Sequence, residues 1–218
     1  MSSFDQIIYK QCKEPFPHLI LKNFYDEEEL KMIWQELKFL TKPGKLLSPK
    51  DYGGIDKSTT AKALILDEVY GIRRMSNILK CYRKIFDERI IDLFSEIHGC
   101  CSIFKYSNDD CTKIRYYHDG EYYKPHTDGS MNYLAFSYFY KEPKKFIGGE
   151  LEFPKYNYEF PCTNNSLILM PAWVEHGVKK VEIKDSDYYD GNGRYAITTF
   201  INILDIVSMR RKRKEMIK

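Results

Sequence analysis

Tyr133-Leu134-Ala135-Phe136-Ser137-Tyr138-Phe139-Tyr140 is a nearly unbroken apolar and aromatic run between polar turns, and it is one of eight such runs that follow residue 101. The others are 101–106, 111–117, 121–126, 150–153, 166–170, 176–183 and 195–203. Runs of this length and residue type, punctuated by turn clusters, suit short strands. Strands at this spacing predict a sandwich or barrel. Upstream, Phe16-Pro-His-Leu-Ile-Leu21 reads as a strand entering the fold. Asp26 opens a helix, with Glu29 at capping-box spacing and an apolar stripe of Leu30, Ile33, Trp34 and Leu37 that suits packing on a sheet. A second helical region is expected from about 75 to 97, with Ile78, Leu79, Tyr82, Ile85 and Phe86 on its first face and Ile90, Ile91 and Phe94 continuing it. The expected fold is α+β and mostly β. Helices over about 1–100 support a jelly roll (a double-stranded β-helix) over about 101–205, with a basic tail over 206–218, in one domain spanning 1–218.

Composition narrows the class. Apolar residues at 43% and charged residues at 30% fit a soluble globular chain rather than a disordered one. The net charge of +3 sits mostly in the tail Arg210–Lys218, so the folded body shows no net-charge signature of nucleic-acid binding. The tail itself reads as a solvated helix end more readily than as a localisation or nucleic-acid patch. The N-terminus is polar and no apolar run is long enough to span a membrane, so a cytoplasmic protein without membrane attachment is expected. The six cysteines are irregularly spaced, with Cys100 beside Cys101 and no Cys-x-x-Cys pair, which predicts free thiols. Residues 41–62 are polar and hold Pro43, Gly44, Pro49, Gly53 and Gly54, and so are a candidate lid or mobile segment.

Three segments carry chemistry. In a strand, residues two apart share a face, so His126 and Asp128 of Lys124-Pro-His-Thr-Asp-Gly129 can aim an imidazole and a carboxylate at one point. Taken alone, such a triplet is weak evidence. In Ser166-Leu-Ile-Leu-Met-Pro-Ala-Trp-Val-Glu-His176, an apolar strand ends in a turn and His176 starts the next strand. A jelly roll can bring that strand across from the first pair, and two His plus one carboxylate on one face of a metal suit a non-haem Fe(II) oxygenase. The ordinary alternative for His176 is a hydrogen-bonded turn histidine. In Arg194-Tyr-Ala-Ile-Thr-Thr-Phe200, alternation sets Arg194, Ala196, Thr198 and Phe200 on one face. If that face looks into the barrel, Arg194 is a buried cation awaiting a carboxylate.

The order His126-x-Asp128, His176, Arg194 resembles the Fe(II)/2-oxoglutarate-dependent dioxygenases. The detail is similar to their prolyl 4-hydroxylase-like branch. Tyr117-His-Asp-Gly120-Glu-Tyr-Tyr123-Lys-Pro-His126-Thr-Asp128 is similar to that branch's metal-binding segment, Tyr138-Phe-Tyr and Gly148-Gly-Glu-Leu151 to the one after it, and Arg194-Tyr-Ala-Ile-Thr198 to its last strand. The resemblance is strong over 112–203 and loose before it. It implies Fe(II) on His126, Asp128 and His176, with 2-oxoglutarate bound through Arg194 and with Tyr138, Thr198, Tyr117 and Tyr123 near the co-substrate or substrate. It also implies O2 as oxidant, a place for ascorbate, and oxidative decarboxylation to succinate coupled to hydroxylation. Two departures stand out: 18 positions separate His176 from Arg194, which suggests a longer hairpin over Lys184–Gly193, and Tyr140 stands where Asn is usual.

The implied substrate is a prolyl residue in a peptide or protein, consistent with Tyr116, Tyr117, Tyr122 and Tyr123 just ahead of the triplet. The same chemistry on a small molecule, free amino acid or nucleobase is the alternative, because the motif describes only the co-substrate site. A zinc hydrolase or a non-catalytic jelly-roll binding protein would leave Arg194 without a role. Trp173 reads as core packing more readily than as a border of the substrate mouth, and His98 and His118 as ordinary histidines.

Overall fold

The capping box at Asp26 forms as its spacing predicts: Glu29 N–H donates to Asp26 Oδ1 and Asp26 N–H donates to Glu29 Oε2, each at 2.9 Å. The helix it starts, α1 (Glu27–Leu40), buries Ile33 and Leu37 and sets Trp34 edge-on against Phe139 and Tyr195 of the sheet behind it. The computed structural model describes residues 4–52, 58–184, 186–205 and 207–208. Most of the basic tail, including 210–218, and residues 53–57 of the 41–62 segment therefore lie outside the described residues.

The region expected as one helix from about 75 to 97 is in pieces. After the short α2 (Leu66–Val69) and a 3-10 turn at Arg73–Met75 come α3 (Asn77–Tyr82), a second 3-10 turn at Arg83–Phe86, and α4 (Glu88–Ser95). Ser76 and Asp87 each accept a backbone N–H from the turn that follows, and so start a new helix instead of continuing an old one. The buried carboxylate of Glu36 on α1 completes the first restart, accepting from Ser76 Oγ at 2.7 Å and Ile78 N–H at 2.9 Å.

Thirteen strands are described. They are β1 (Ile8–Cys12), β2 (His18–Lys22), β3 (Lys62–Ile65), β4 (Asp109–Tyr117), β5 (Tyr123–His126), β6 (Tyr133–Phe139), β7 (Phe146–Gly148), β8 (Leu151–Phe153), β9 (Tyr158–Phe160), β10 (Ser166–Pro171), β11 (His176–Val178), β12 (Val181–Ile183) and β13 (Arg194–Asn202). One sheet runs β1-β2-β10-β6-β13-β4-β3, the second β5-β11-β8-β9, and β12 pairs with β7, with every pairing antiparallel. This is the expected jelly roll with helical support. The large sheet is buried on both faces, which explains its unbroken apolar runs. On β6 and β10, Tyr133, Ala135, Phe139, Leu167 and Leu169 face the helices, while Leu134, Phe136, Tyr138, Ile168 and Met170 fill the space between sheets.

Several expectations need correction. Residues 101–106 are not a strand but part of a 3-10 turn, Gly99–Tyr106. Cys101 and Phe104, three apart, are buried, and Phe104 meets Phe94 and Tyr133 edge-on at 5.2 and 5.3 Å. Their apolar period is three, not two. The run 176–183 is two strands, interrupted at Lys179-Lys180, and they belong to different sheets. Trp173, expected as core packing, is 53% exposed. The described parts of 41–62 are tied down: Leu47 bridges Ala63, Thr59 bridges Tyr123, and the buried Tyr52 donates its hydroxyl to Ala61 O at 3.0 Å. All six cysteines are free, as expected. No helix among the described residues is long and apolar enough to cross a membrane.

Candidate active site

Strands β5 and β11 pair so that His126 and His176 stand directly opposite one another, with ring centroids 4.6 Å apart. Asp128 follows the end of β5, its N–H donating to Ala172 O at 3.2 Å. One ligand atom from each of the three residues lies within 4.8 Å of the others. Nδ1 of His126 lies 2.9 Å from Lys124 O, and Nδ1 of His176 lies 2.9 Å from Val174 O. A carbonyl only accepts, so both protons sit on Nδ1 and both Nε2 lone pairs are left free. Those Nε2 atoms lie 3.9 and 3.6 Å from the Asp128 carboxylate. Burial first, and His126 next, hold the His176 imidazole down at about 4, and therefore neutral. Both Nε2 atoms and the Asp128 carboxylate thus converge on one point, a donor set for a cation.

Packing fixes these rings. Tyr123 stacks on His126, with centroids 4.0 Å apart and planes at 20°. Phe136 meets His176 edge-on at 5.2 Å. The narrow chamber behind the cluster is lined by Tyr117, Phe136, Leu151, Val178, Arg194 and Thr198 among others. Arg194 is 1% exposed, and its guanidinium lies between the rings of Tyr117 and Tyr138 at 4.7 and 4.6 Å. Its Nε and Nη1 have no hydrogen-bond partner, nor does the buried Tyr138 hydroxyl. A buried cation without an anion is costly, so this end of the chamber is built to receive one. Burial raises the pKa of both Tyr117 and Tyr138, which keeps their phenols neutral.

The alternation read for the last strand holds: Arg194, Ala196, Thr198 and Phe200 all line the chamber. The long His176–Arg194 interval is taken up by β12 and the segment after it, and β13 keeps register with β4, Arg194 opposite Tyr117. Tyr123, expected near the co-substrate, lines both the chamber and an outer cleft of about 390 Å³. Sequence reasoning missed Arg115 and Lys113. Both share the Tyr117 face of β4 and line the outer cleft, and Arg115 lines the chamber as well. Counting back by twos from Tyr117 would have found them. Tyr52, from the segment read as a possible lid, forms part of the same cleft.

Residues 112–202 match the family model of the 2OG-Fe(II) oxygenase superfamily. No curated protein sequence matches the chain. Among solved structures, a prolyl hydroxylase from Trichoplax adhaerens, in complex with a hypoxia inducible factor peptide fragment, superposes with a TM-score of 0.62 at 15% identity, covering 90% of this chain and 86% of that one. A Pseudomonas putida prolyl-4-hydroxylase gives 0.58 at 12% identity, covering 93% and 96%. A Burkholderia pseudomallei oxidoreductase of the 2OG-Fe(II) oxygenase family gives 0.53 at 14%, covering 86% of each chain. At these identities the superpositions speak for the fold. The family match falls on the segment that supplies the three converging ligands and the buried arginine, so residues 112–202 are similar to the 2OG-Fe(II) oxygenase superfamily, a likeness that implies Fe(II), 2-oxoglutarate and O2.

Proposed function

We propose that this chain is a dioxygenase in which His126, Asp128 and His176 hold Fe(II), Arg194 holds the far carboxylate of 2-oxoglutarate, and the substrate is a prolyl residue in a peptide. The observation that carries the reading is the single chamber with a His-Asp-His donor set at one end and, at the other, a buried guanidinium whose Nε and Nη1 have no hydrogen-bond partner. A dicarboxylate co-substrate fits both ends. When bound, iron and 2-oxoglutarate supply the oxidising chemistry, with succinate and carbon dioxide as by-products.

The chain's own groups bind, orient and exclude water. Lys124 O and Val174 O hold the imidazole protons at Nδ1 and so keep both Nε2 atoms available. Tyr117, Tyr138 and Thr198 surround the Arg194 end with neutral hydroxyls that can join the guanidinium on a carboxylate. Phe136, Leu151 and Val178 give the chamber an apolar wall that keeps water from the reacting centre. The prolyl assignment draws support from the prolyl hydroxylases among the structural neighbours, one of them bound to a peptide. It also draws on the open cleft edged by Tyr52, Tyr123 and Phe200, an aromatic surface suited to an extended proline-containing chain.

The test is succinate formation from 2-oxoglutarate and Fe(II), with a panel of proline-containing peptides followed by mass spectrometry. Peptide-stimulated turnover and a gain of one oxygen atom on proline are expected. Hydroxylation of a free amino acid or nucleobase, with every peptide left unmodified, would replace the peptide substrate.

A further inference from the structure

Strand β4 carries Tyr117, Arg115, Lys113 and Cys111 on one face, in that order from the Arg194 end of the chamber to the outer cleft. The first is accounted for beside Arg194. The two cations are not. Arg115 is 7% exposed, yet its Nε has no partner, and Nη1 makes one long contact, 3.4 Å to Thr198 Oγ1. Its guanidinium lies 5.2 Å from the centroid of the Tyr123 ring that stacks on His126. Lys113 is half-buried, its Nζ lying between the rings of Tyr52 and Phe200 at 5.2 and 5.4 Å. Burial first, and Arg115 next, push its ammonium down to about 8. No carboxylate forms a salt bridge to either side chain among the described residues; Asp128 acts on both only through its field.

Charge balance decides what these groups await. With iron and 2-oxoglutarate in place as proposed above, the metal and Arg194 bring three positive charges. Asp128 and the two carboxylates of the co-substrate bring three negative ones. The loaded centre is neutral without Arg115 and Lys113. Two further cations, desolvated and adjacent, then face the open cleft with no ion-pair partner among the described residues, only the carboxylate fields of Asp128 on both and of Glu68 on Lys113. Buried charges persist where a partner is supplied, and here the remaining approach is from the substrate side.

We infer that Arg115 and Lys113 form an anion subsite for the substrate, so that the hydroxylated residue is presented with a carboxylate next to it, as in a peptide with Asp or Glu beside the target proline. The aromatic walls at Tyr52, Tyr123 and Phe200 keep the subsite dry enough for such a pair to discriminate. The prolyl part and the charge balance rest on the proposed function; the cation pair itself is read from β4.

The test compares matched peptides with Asp or Glu on either side of proline against their Asn or Gln isosteres. Binding is read by fluorescence polarisation and turnover by mass spectrometry, and free proline serves as a second carboxylate source. The acidic peptides should bind about tenfold or more tightly than their isosteres, with the preference weakening at high salt. Lys113→Gln should reduce that ratio to about twofold or less, and Arg115→Gln should do the same if it folds. Equal affinity for acidic and amide peptides would overturn the subsite while leaving prolyl hydroxylation standing. If no peptide is modified but free proline is, and Lys113→Gln weakens its binding, the peptide reading fails and the anion subsite stands. If the variants keep the acidic preference and instead raise the 2-oxoglutarate KM, the pair serves the co-substrate and the inference is wrong.

Discussion

Arg194→Ala removes a guanidinium that is 1% exposed, lies between two tyrosine rings, and offers two nitrogens no protein group satisfies. In the loaded enzyme those nitrogens are proposed to meet a carboxylate in a dry chamber. Truncating one partner of such a pair costs roughly 2–5 kcal/mol. Since about 1.4 kcal/mol is a factor of ten, the 2-oxoglutarate KM should rise by about a hundredfold or more. Iron affinity should change little, because no ligand touches Arg194. Two opposite effects act on the free protein: truncation opens a cavity, while removing an unpaired buried cation relieves a desolvation cost. Its stability should therefore fall less than its affinity for 2-oxoglutarate. Arg194→Lys keeps the charge but not the planar fork, and should lose about tenfold. The assays are 2-oxoglutarate titration of succinate formation and the thermal shift caused by 2-oxoglutarate, which should vanish in Arg194→Ala. An unchanged 2-oxoglutarate requirement with intact iron affinity would refute the reasoning and point to Arg115 as the holder of the far carboxylate.

His126→Ala and Asp128→Ala should each abolish turnover and weaken iron binding, seen by iron titration, while the melting temperature moves little because these side chains are 24% and 22% exposed. Gly149 has a φ of +75°, and a Cβ there would come within 2.7 Å of Arg194 Cδ; Gly149→Ala should raise the 2-oxoglutarate KM without altering any group that binds it, and an unchanged KM would show that Arg194 is free to shift. Burial raises the Glu121 carboxyl from 4.5 to about 7, so the folded chain binds this proton more tightly than the unfolded one and loses stability as pH rises through that window. At most ~3 kcal/mol is involved, and Glu121→Gln should raise the urea midpoint at about pH 8 and leave it unchanged at about pH 4; parallel wild-type and variant pH profiles would contradict this.

The chemistry was legible in sequence where backbone geometry maps directly onto function. His126 and Asp128 share a face by alternation, and Arg194, Ala196, Thr198 and Phe200 do the same, so period placed each set on one face, while the order of the motifs gave the faces a purpose. Pairing of β5 with β11 was not legible, because nothing local says that His176 stands opposite His126 across the sheet. The helical region failed for a related reason. Ile78 to Phe94 shows the right apolar content, but Ser76 and Asp87 turn their side chains onto the backbone and restart the helix, a competition that average propensity hides. The run 101–106 misled because Cys101 and Phe104 obey a three-residue period too short to distinguish from alternation. Arg115 was missed although the same rule that found Arg194 reaches it. Arg115 belongs to no motif, and its significance lies in the charge it adds beside Arg194 and Lys113.

That added charge has a structural cost, and the sheet shows how it is carried. Arg194, Arg115 and Lys113 lie on adjacent strands β13 and β4 and point to one side, where like charges repel and the first two are buried. The opposite faces of the same strands place Ile114, Tyr116, Tyr195, Ile197 and Ile201 in the helix-backed core. Each strand is thus anchored by apolar burial on one face and carries cations without an ion-pair partner on the other. Apolar burial does not weaken when the cations are unpaired, so the backbone register survives without ligands and the cations stay pre-positioned. An anion entering the chamber as proposed would then gain affinity from relief of a cost already present in the free protein, with no strand needing to move. This ties the polarity of the site to its rigidity: a chamber backed by a softer core would let Arg115 and Lys113 swing to water, and the selectivity proposed for them would be lost before the iron site was disturbed.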